Sequence, residues 1–195
     1  MGVMQIIHGG DIYRNTVRLD FSINTNPLGM PKEVSWAAIK GIESSGHYPD
    51  FYCEELRQKL AKYCAAEYGD FDADNIVFGN GASELIYRLC DVVAGKKGAV
   101  NTPTFTEYET ALSAAKYRVE YGMKTDVDIL FICNPNNPTG ELKSRKELKE
   151  ILDECKKNDC ILAVDECFLP LTSREDETIS VLCGEYEIGR ASCRE

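Results

Sequence analysis

Asp128-Ile129-Leu130-Phe131-Ile132-Cys133-Asn134-Pro135-Asn136-Asn137-Pro138-Thr139-Gly140 joins two opposite kinds of sequence. Residues 129–133 are an unbroken apolar run of strand length, whereas residues 134–140 contain only Asn, Pro, Thr and Gly. An apolar run without alternation fits a parallel strand covered on both faces. In open α/β sheets, ligands sit in the crevice beyond the carboxyl ends of the strands. The loop 134–140 follows such an end.

A second strand end answers the first. Cys160-Ile161-Leu162-Ala163-Val164 runs directly into Asp165-Glu166. Between the two runs the spacing predicts a helix. Ser144 and Glu147 form a capping-box pattern at its start. Leu148, Ile151, Leu152 and Cys155 recur at helical spacing, and Lys156-Lys157 suit the negative end of the helix dipole. Strand, helix, strand is a βαβ unit with a right-handed crossover. If its strands are neighbours, Asn137 and Asp165 emerge side by side at one edge of the sheet.

Upstream, Asn75-Ile76-Val77-Phe78 reads as a short strand, followed by Gly79-Asn80-Gly81-Ala82-Ser83-Glu84. A helix with Leu85, Ile86, Leu89 and Val93 comes next. A glycine-rich turn into a helix frees backbone N–H groups at a positive helix end, which is an anion site. Dinucleotide binding in a Rossmann-like domain is a competing reading of the same turn, although position 84 is Glu and the full Gly-x-Gly-x-x-Gly is absent. Ala99-Val100-Asn101 predicts another strand, then a helix through Ala111, Leu112 and Ala115. Tyr117 to Tyr121 predicts one more strand. Residues 32–45 read as a helix turning Val34, Ala37, Ala38 and Ile42 toward a core, with Pro31 at its start. Leu56, Leu60, Tyr63 and Cys64 mark a further helix. Residues 1–31 are rich in turn chemistry and read as an arm.

Composition bounds the function. The 195 residues suffice for one domain with a real core. Hydrophobic content is 44% and charged content 28%, as in soluble globular domains. A net charge of −10 argues against nucleic acid or anionic membrane as a main partner. Nine cysteines form no Cys-x-x-Cys pair, so a zinc site is not indicated. Several lie in apolar stripes, where a thiol acts as a small hydrophobe. No signal peptide or membrane-length run is evident, so the expected compartment is the reducing cytoplasm.

Asn-Asn-Pro-Thr-Gly after a buried strand, then an apolar strand ending in Asp-Glu, resembles the fold-type I pyridoxal-phosphate enzymes, which include the class I/II aminotransferases. The resemblance implies the three-layer αβα large domain of such an enzyme, with a mostly parallel sheet. It implies pyridoxal 5′-phosphate as cofactor. Asn137 would hydrogen-bond its phenolic oxygen, and Asp165 would pair with the pyridine nitrogen. A carboxylate there keeps the ring protonated as an electron sink. Gly81, Ala82 and Ser83 would cradle the phosphate. Phe105, two residues after Pro103, would stack on the ring; Tyr108 is the second candidate, and either could be ordinary core. Tyr48, in Tyr-Pro-Asp, would reach the cofactor phosphate of a second subunit in a homodimer, or simply pack beside a helix start.

Two finer patterns point to a branch of the family. His8-Gly9-Gly10-Asp11-Ile12-Tyr13, then Asp20-Phe21-Ser22-Ile23-Asn24-Thr25-Asn26-Pro27-Leu28-Gly29, looks most like the threonine-phosphate decarboxylases of cobalamin biosynthesis, relatives of histidinol-phosphate aminotransferases. His8 and Asn26 would then contact a small amino substrate, itself phosphorylated. Position 168 is Phe where many transaminases of the group have Tyr, which favours decarboxylation over amino transfer.

The pattern also calls for a lysine to form the cofactor's Schiff base, after the aspartate, in Ser/Thr-x-x-Lys. No lysine follows Lys157. The resemblance thus spans the first half of such an enzyme: an arm over 1–31, a partial large domain over 32–187, and no C-terminal small domain. Residues 188–195, Ile-Gly-Arg-Ala-Ser-Cys-Arg-Glu, do not read as the expected strand and are expected to be a non-native tail. The truncated chain is expected to be inactive, and a non-catalytic cofactor-binding remnant remains an alternative.

Overall fold

Parallel strands, with helices packed on them, form the frame of the chain after residue 52. The computed structural model describes residues 10–14, 16–24, 26–68, 72–182 and 189–191. The chain divides into two compact units, Met1–Phe51 and Tyr52–Glu195.

The first unit holds one helix, α1 (Lys32–Glu43), with Pro31 at its N-cap. The stripe Val34, Ala37, Ala38 and Ile42, expected to face a core, is exposed throughout, Ile42 at 72%. The reason is local. None of the unit's described residues is buried, so the helix has no core of its own to join.

The second unit begins with α2 (Glu54–Tyr68), which buries Ala61 and Cys64. A 3-10 turn, Ala73–Asn75, follows, with the Asp72 side chain accepting from the Asp74 N–H. The strand expected over 75–78 does not form. Ile76 is extended (φ −108°, ψ 126°), but no described strand pairs with the segment, and Val77 is 74% exposed. β-branched residues favour extended backbone; a strand also needs a ladder partner.

The remaining elements are α3 (Ala82–Val93), β1 (Lys97–Val100), α4 (Thr106–Ala114), β2 (Arg118–Tyr121), β3 (Ile129–Cys133), α5 (Arg145–Lys157), β4 (Ile161–Asp165) and β5 (Gly189–Ala191). All strand pairs are parallel, in the order β2-β1-β3-β4-β5. β5 lies in the stretch read as containing no strand.

β3 shows why the sheet has two covered faces. Ile129, Phe131 and Cys133 join one apolar cluster with Ile86 and Cys90 of α3 and Tyr108, Ala111 and Leu112 of α4. Leu130 and Ile132 join the other, with Leu148, Leu152 and Cys155 of α5. Side chains alternate across a strand, so a continuous apolar run supplies both faces at once. This is the three-layer αβα arrangement implied by the sequence. A Cβ on Gly98 would overlap Leu112, so glycine there lets α4 lie close on β1.

Two polar devices set element ends. The capping box is present: the Ser144 hydroxyl accepts from Glu147 N–H, and the Glu147 carboxylate accepts from Ser144 N–H at 2.8 Å. At the other end of the sheet, Asp128 Oδ2 accepts from Lys96 and Lys97 N–H at 2.6 and 2.7 Å. Those N–H groups hold the Asp128 carboxyl below its ordinary range.

A depressed carboxyl contributes stability above its unfolded value, near 4, and loses it as pH falls through the folded value. Asp128→Asn is expected to cost about 1 kcal/mol at pH 7, discounted for partial exposure. Urea unfolding of both proteins from pH 7 down to pH 2.5 should show the difference shrinking below about pH 4. A difference that stays constant would refute the charge contribution.

Candidate active site

The β3–β4 register pairs Cys133 with Asp165. Just past the pair, Asn134 N–H donates to the Asp165 carbonyl at 2.8 Å. The two strands are therefore neighbours, and the loop 134–140 leaves beside Asp165.

Asp165 is buried, at 6% exposure. Its Oδ1 accepts from Cys167 N–H at 3.0 Å and its Oδ2 accepts from the Tyr108 hydroxyl at 2.8 Å. A carboxylate can accept about four hydrogen bonds, so both oxygens retain capacity for a further donor. Tyr108 is fully buried on α4. Its ring stacks on Phe131 with centroids 5.2 Å apart at 7°, and Phe105 meets it edge-on at 5.6 Å and 81°. Burial, then the Asp165 charge, push the phenol far above its ordinary value, so it remains a donor. Tyr108 is thus no stacking surface for a ligand; it stands behind Asp165. Phe105, half-buried at the N-cap of α4, is the remaining aromatic candidate.

The asparagines of the loop divide their work. Asn134 is fully buried; its amide donates to the Lys143 carbonyl at 3.0 Å and accepts from Lys143 N–H at 2.7 Å, closing the loop on itself. Asn136 accepts from the Thr104 hydroxyl at 2.9 Å and donates to the Pro103 carbonyl at 2.9 Å. That ties the loop after β3 to the loop after β1. Asn137 is half-buried, and no hydrogen bond joins its side-chain amide to another described residue.

At the start of α3, Gly81 is the N-cap with φ +83° and no side chain to satisfy the first N–H groups. A Cβ there would meet nothing within 4 Å, so the conformation, not crowding, calls for glycine. Ala82 is half-buried and Ser83 exposed. Glu84 reaches back, accepting from Asn80 N–H at 2.7 Å.

The remaining candidates, Tyr48, Asn26 and His8, belong to the first unit. Tyr48 is fully exposed. The Asn26 amide is used in its own turn, accepting from Leu28 N–H at 3.0 Å and donating to the Gly29 carbonyl at 3.1 Å. His8 lies outside the described residues.

A family profile described as aminotransferase class I and II matches residues 16–183. The chain belongs to that family. It is 31% identical to a threonine-phosphate decarboxylase of Salmonella typhimurium, over 93% of this chain and 56% of the relative. It is 32% identical to a histidinol-phosphate aminotransferase of Desulfitobacterium hafniense, over 78% of this chain and 46% of the relative. Among solved structures, the histidinol-phosphate aminotransferase of Clostridium acetobutylicum superposes with a TM-score of 0.70 at 27% identity, over 85% of this chain and 52% of that one. The chain spans about half the length of the curated relatives it matches.

In this aminotransferase-family chain, four side chains near Asp165 have surroundings that the sequence alone does not disclose. Tyr108, the second stacking candidate or ordinary core in the sequence, is three residues from Phe105 along a helix, a spacing that puts both on one face. Cys133 and Cys167 were read as generic small hydrophobes. Glu166 received no role, yet it is fully buried and accepts from Thr178 Oγ1 at 2.6 Å, Ile179 N–H at 2.8 Å and Ser180 Oγ at 3.2 Å.

Tyr108→Phe keeps the ring and removes the donor to Asp165. It is expected to lower unfolding stability by about 1.5 kcal/mol, the worth of a buried hydrogen bond to a charged group. Denaturant unfolding at pH 7 measures this, with an unchanged m-value. A loss of a few tenths or less would mean that the bond does not hold Asp165.

Proposed function

We propose that this chain forms the cofactor-side half of a pyridoxal 5′-phosphate enzyme acting on a small phosphorylated amino substrate. One arrangement carries the reading. A buried carboxylate with room for another donor, Asp165, ends β4 beside a loop in which Asn137 alone of three asparagines keeps its amide out of the fold.

The donor set suits the group. Asp165 would hold a proton at a ring nitrogen, and Tyr108 and Cys167 would hold Asp165. Asn137 would donate to a phenolic oxygen. The N-terminus of α3 at Gly81, Ala82 and Ser83, where the N-cap Gly81 has no side chain, would take a phosphate. Phe105 would cover a ring face. When bound, pyridoxal 5′-phosphate supplies a protonated ring that draws electrons from a bond breaking at the substrate Cα. Residues 158–195 contain no lysine for the cofactor aldehyde. The 195 residues alone are therefore proposed to bind without turnover.

The relatives, a threonine-phosphate decarboxylase and a histidinol-phosphate aminotransferase, support a phosphorylated substrate, and the decarboxylase at 31% identity over 93% of this chain supports that branch. Phe168, without a hydroxyl, supports it too. Action as a homodimer in the cytoplasm belongs to the same proposal.

Pyridoxamine 5′-phosphate is the suitable probe, because it cannot condense with surface lysines. Calorimetric titration of the chain is expected to show one site. Asp165→Asn should weaken it about 10- to 100-fold, matching the loss of a charge-assisted hydrogen bond. Asn137→Ala should weaken it less. Saturable binding of a dinucleotide, or binding indifferent to Asp165, would overturn the reading. For the branch, a polypeptide carrying this chain and the missing lysine should release carbon dioxide from threonine phosphate. Conversion of an added keto acid to an amino acid would mark it as an aminotransferase instead.

A further inference from the structure

We propose that Asn80 is a site of spontaneous deamidation at the entry to α3, and that Glu84 restrains its conversion to aspartate or isoaspartate. The inference does not rest on the cofactor reading.

The sequence singles the residue out. Deamidation begins when the backbone nitrogen of the following residue attacks the side-chain carbonyl carbon of asparagine. It needs a following N–H and an unhindered approach. Of the ten asparagines, Asn26, Asn134 and Asn137 precede proline, which has no N–H. Asn15, Asn24 and Asn101 precede threonine and Asn75 precedes isoleucine, whose branched Cβ crowds the nitrogen. Asn136 and Asn158 precede Asn137 and Asp159, which also carry a Cβ. Asn80 alone precedes glycine, which leaves the nitrogen bare and the backbone widest in its choice of angles.

The fold leaves the pair open. Asn80 and Gly81 are both exposed. Gly81 is the N-cap of α3, at φ +83° and ψ 167°, and its N–H donates to the Gly79 carbonyl at 2.9 Å. Attack by the Gly81 nitrogen therefore breaks no rung of the helix.

Glu84, in the first turn of α3, supplies the restraint. Its Oε2 accepts from Asn80 N–H at 2.7 Å and from the Asn80 side-chain amide at 3.0 Å. Those donors hold the Glu84 carboxyl below its ordinary range. For the reaction, Asn80 Cγ must turn onto the Gly81 nitrogen, a rotation that the bond from its amide to Glu84 opposes. The carboxylate also opposes the negative charge that develops on the asparagine oxygen during attack.

The step balances without a change of oxidation state. The Gly81 nitrogen gives its proton to hydroxide and attacks Asn80 Cγ. A C–N bond forms, the Cγ–Nδ2 bond breaks, and the side-chain nitrogen leaves as ammonia with a proton from water. Water then adds to either carbonyl of the cyclic imide, and that carbonyl's bond to nitrogen breaks. Opening at one carbonyl gives aspartate; opening at the other gives isoaspartate, with an added methylene in the backbone just before the N-cap. Either product puts a carboxylate where a donor to Glu84 stood.

The test incubates the 195-residue chain in warm, mildly alkaline buffer and compares tryptic peptides with those of a fresh sample by mass spectrometry. Cleavage after Lys62 and Arg88 gives peptide 63–88, which carries Asn75 and Asn80 and no other asparagine. The expected product is this peptide with one NH2 replaced by OH. Fragmentation should place the change at position 80, with Asn75 intact and ahead of any change at the remaining asparagines. Hydroxylamine, which opens the cyclic imide, should cut the chain once, into 1–80 and 81–195. Glu84→Ala should convert about fivefold faster, as for the loss of one exposed hydrogen bond to a charged group. Glu84→Gln, which keeps an acceptor without the charge, should fall between the two. In urea all three should convert at one rate. Earlier conversion at another asparagine, or an intact Asn80 in the folded chain, would overturn the proposal. So would equal rates in the folded parent and Glu84→Ala. If Glu84→Ala loses its helical circular dichroism, Glu84→Gln decides, and a rate equal to the parent's refutes the restraint.

Discussion

The parallel register between β3 and β4 is the constraint from which the rest of the site follows. It sets Cys133 opposite Asp165 and lets Asn134 N–H reach the Asp165 carbonyl. A slip of one residue would turn every side chain of a strand to the other face. Both faces are buried here: Phe131 sits against Tyr108, and Leu130 and Ile132 lie on the side of α5. Slippage would have to break two apolar clusters at once. The position of Asp165 is thus enforced by packing several residues away from it.

That rigidity extends into a loop without regular structure. Seven polar or turn-forming residues would ordinarily mean mobility. Instead, the Asn134 amide holds Lys143 by both of its polar atoms, and Asn136 holds Pro103 and Thr104. These bonds close the loop and fasten it to the loop after β1, where the strand order reverses direction. Positioning by such supports is what a binding site needs, because ordering a loop at the moment of binding costs affinity. Asn137 is presented by a loop already held on both sides of it.

The sequence was most legible where local and tertiary demands coincide. The capping box needs only Ser144 and Glu147 in register on one helix start. The βαβ unit needs only strand-length apolar runs around an amphipathic helix. Legibility failed where an outcome depends on a partner. Ile76 and Val77 have strand chemistry but no neighbouring strand, and α1 has an apolar stripe but no core in its own unit. Gly189–Ala191 has weak strand chemistry yet pairs with β4, because a parallel neighbour supplies the hydrogen bonds that side chains do not promise. The alternatives left open for Tyr108 have the same origin. Its hydroxyl is explained only by a carboxylate 57 residues away.

The dipeptide Asp165-Glu166 shows how far simple strand periodicity can divide function. Successive residues at a strand end point to opposite faces. Asp165 turns toward Tyr108 and the α3–α4 side, while Glu166 turns toward Ile179 and the α5 side. There the Glu166 carboxylate gathers Thr178, Ile179 and Ser180 around it, and Arg145 at the start of α5 donates to the Thr178 carbonyl at 2.9 Å. A buried carboxylate is tolerated only when such donors surround it. One acid is therefore consumed in fastening the segment 178–180 to the sheet and to α5. The other, one residue earlier and on the opposite face, is left with accepting capacity. The two acids have equal charge and nearly equal burial, so neither property distinguishes them. The number of donors that the fold supplies on each face does.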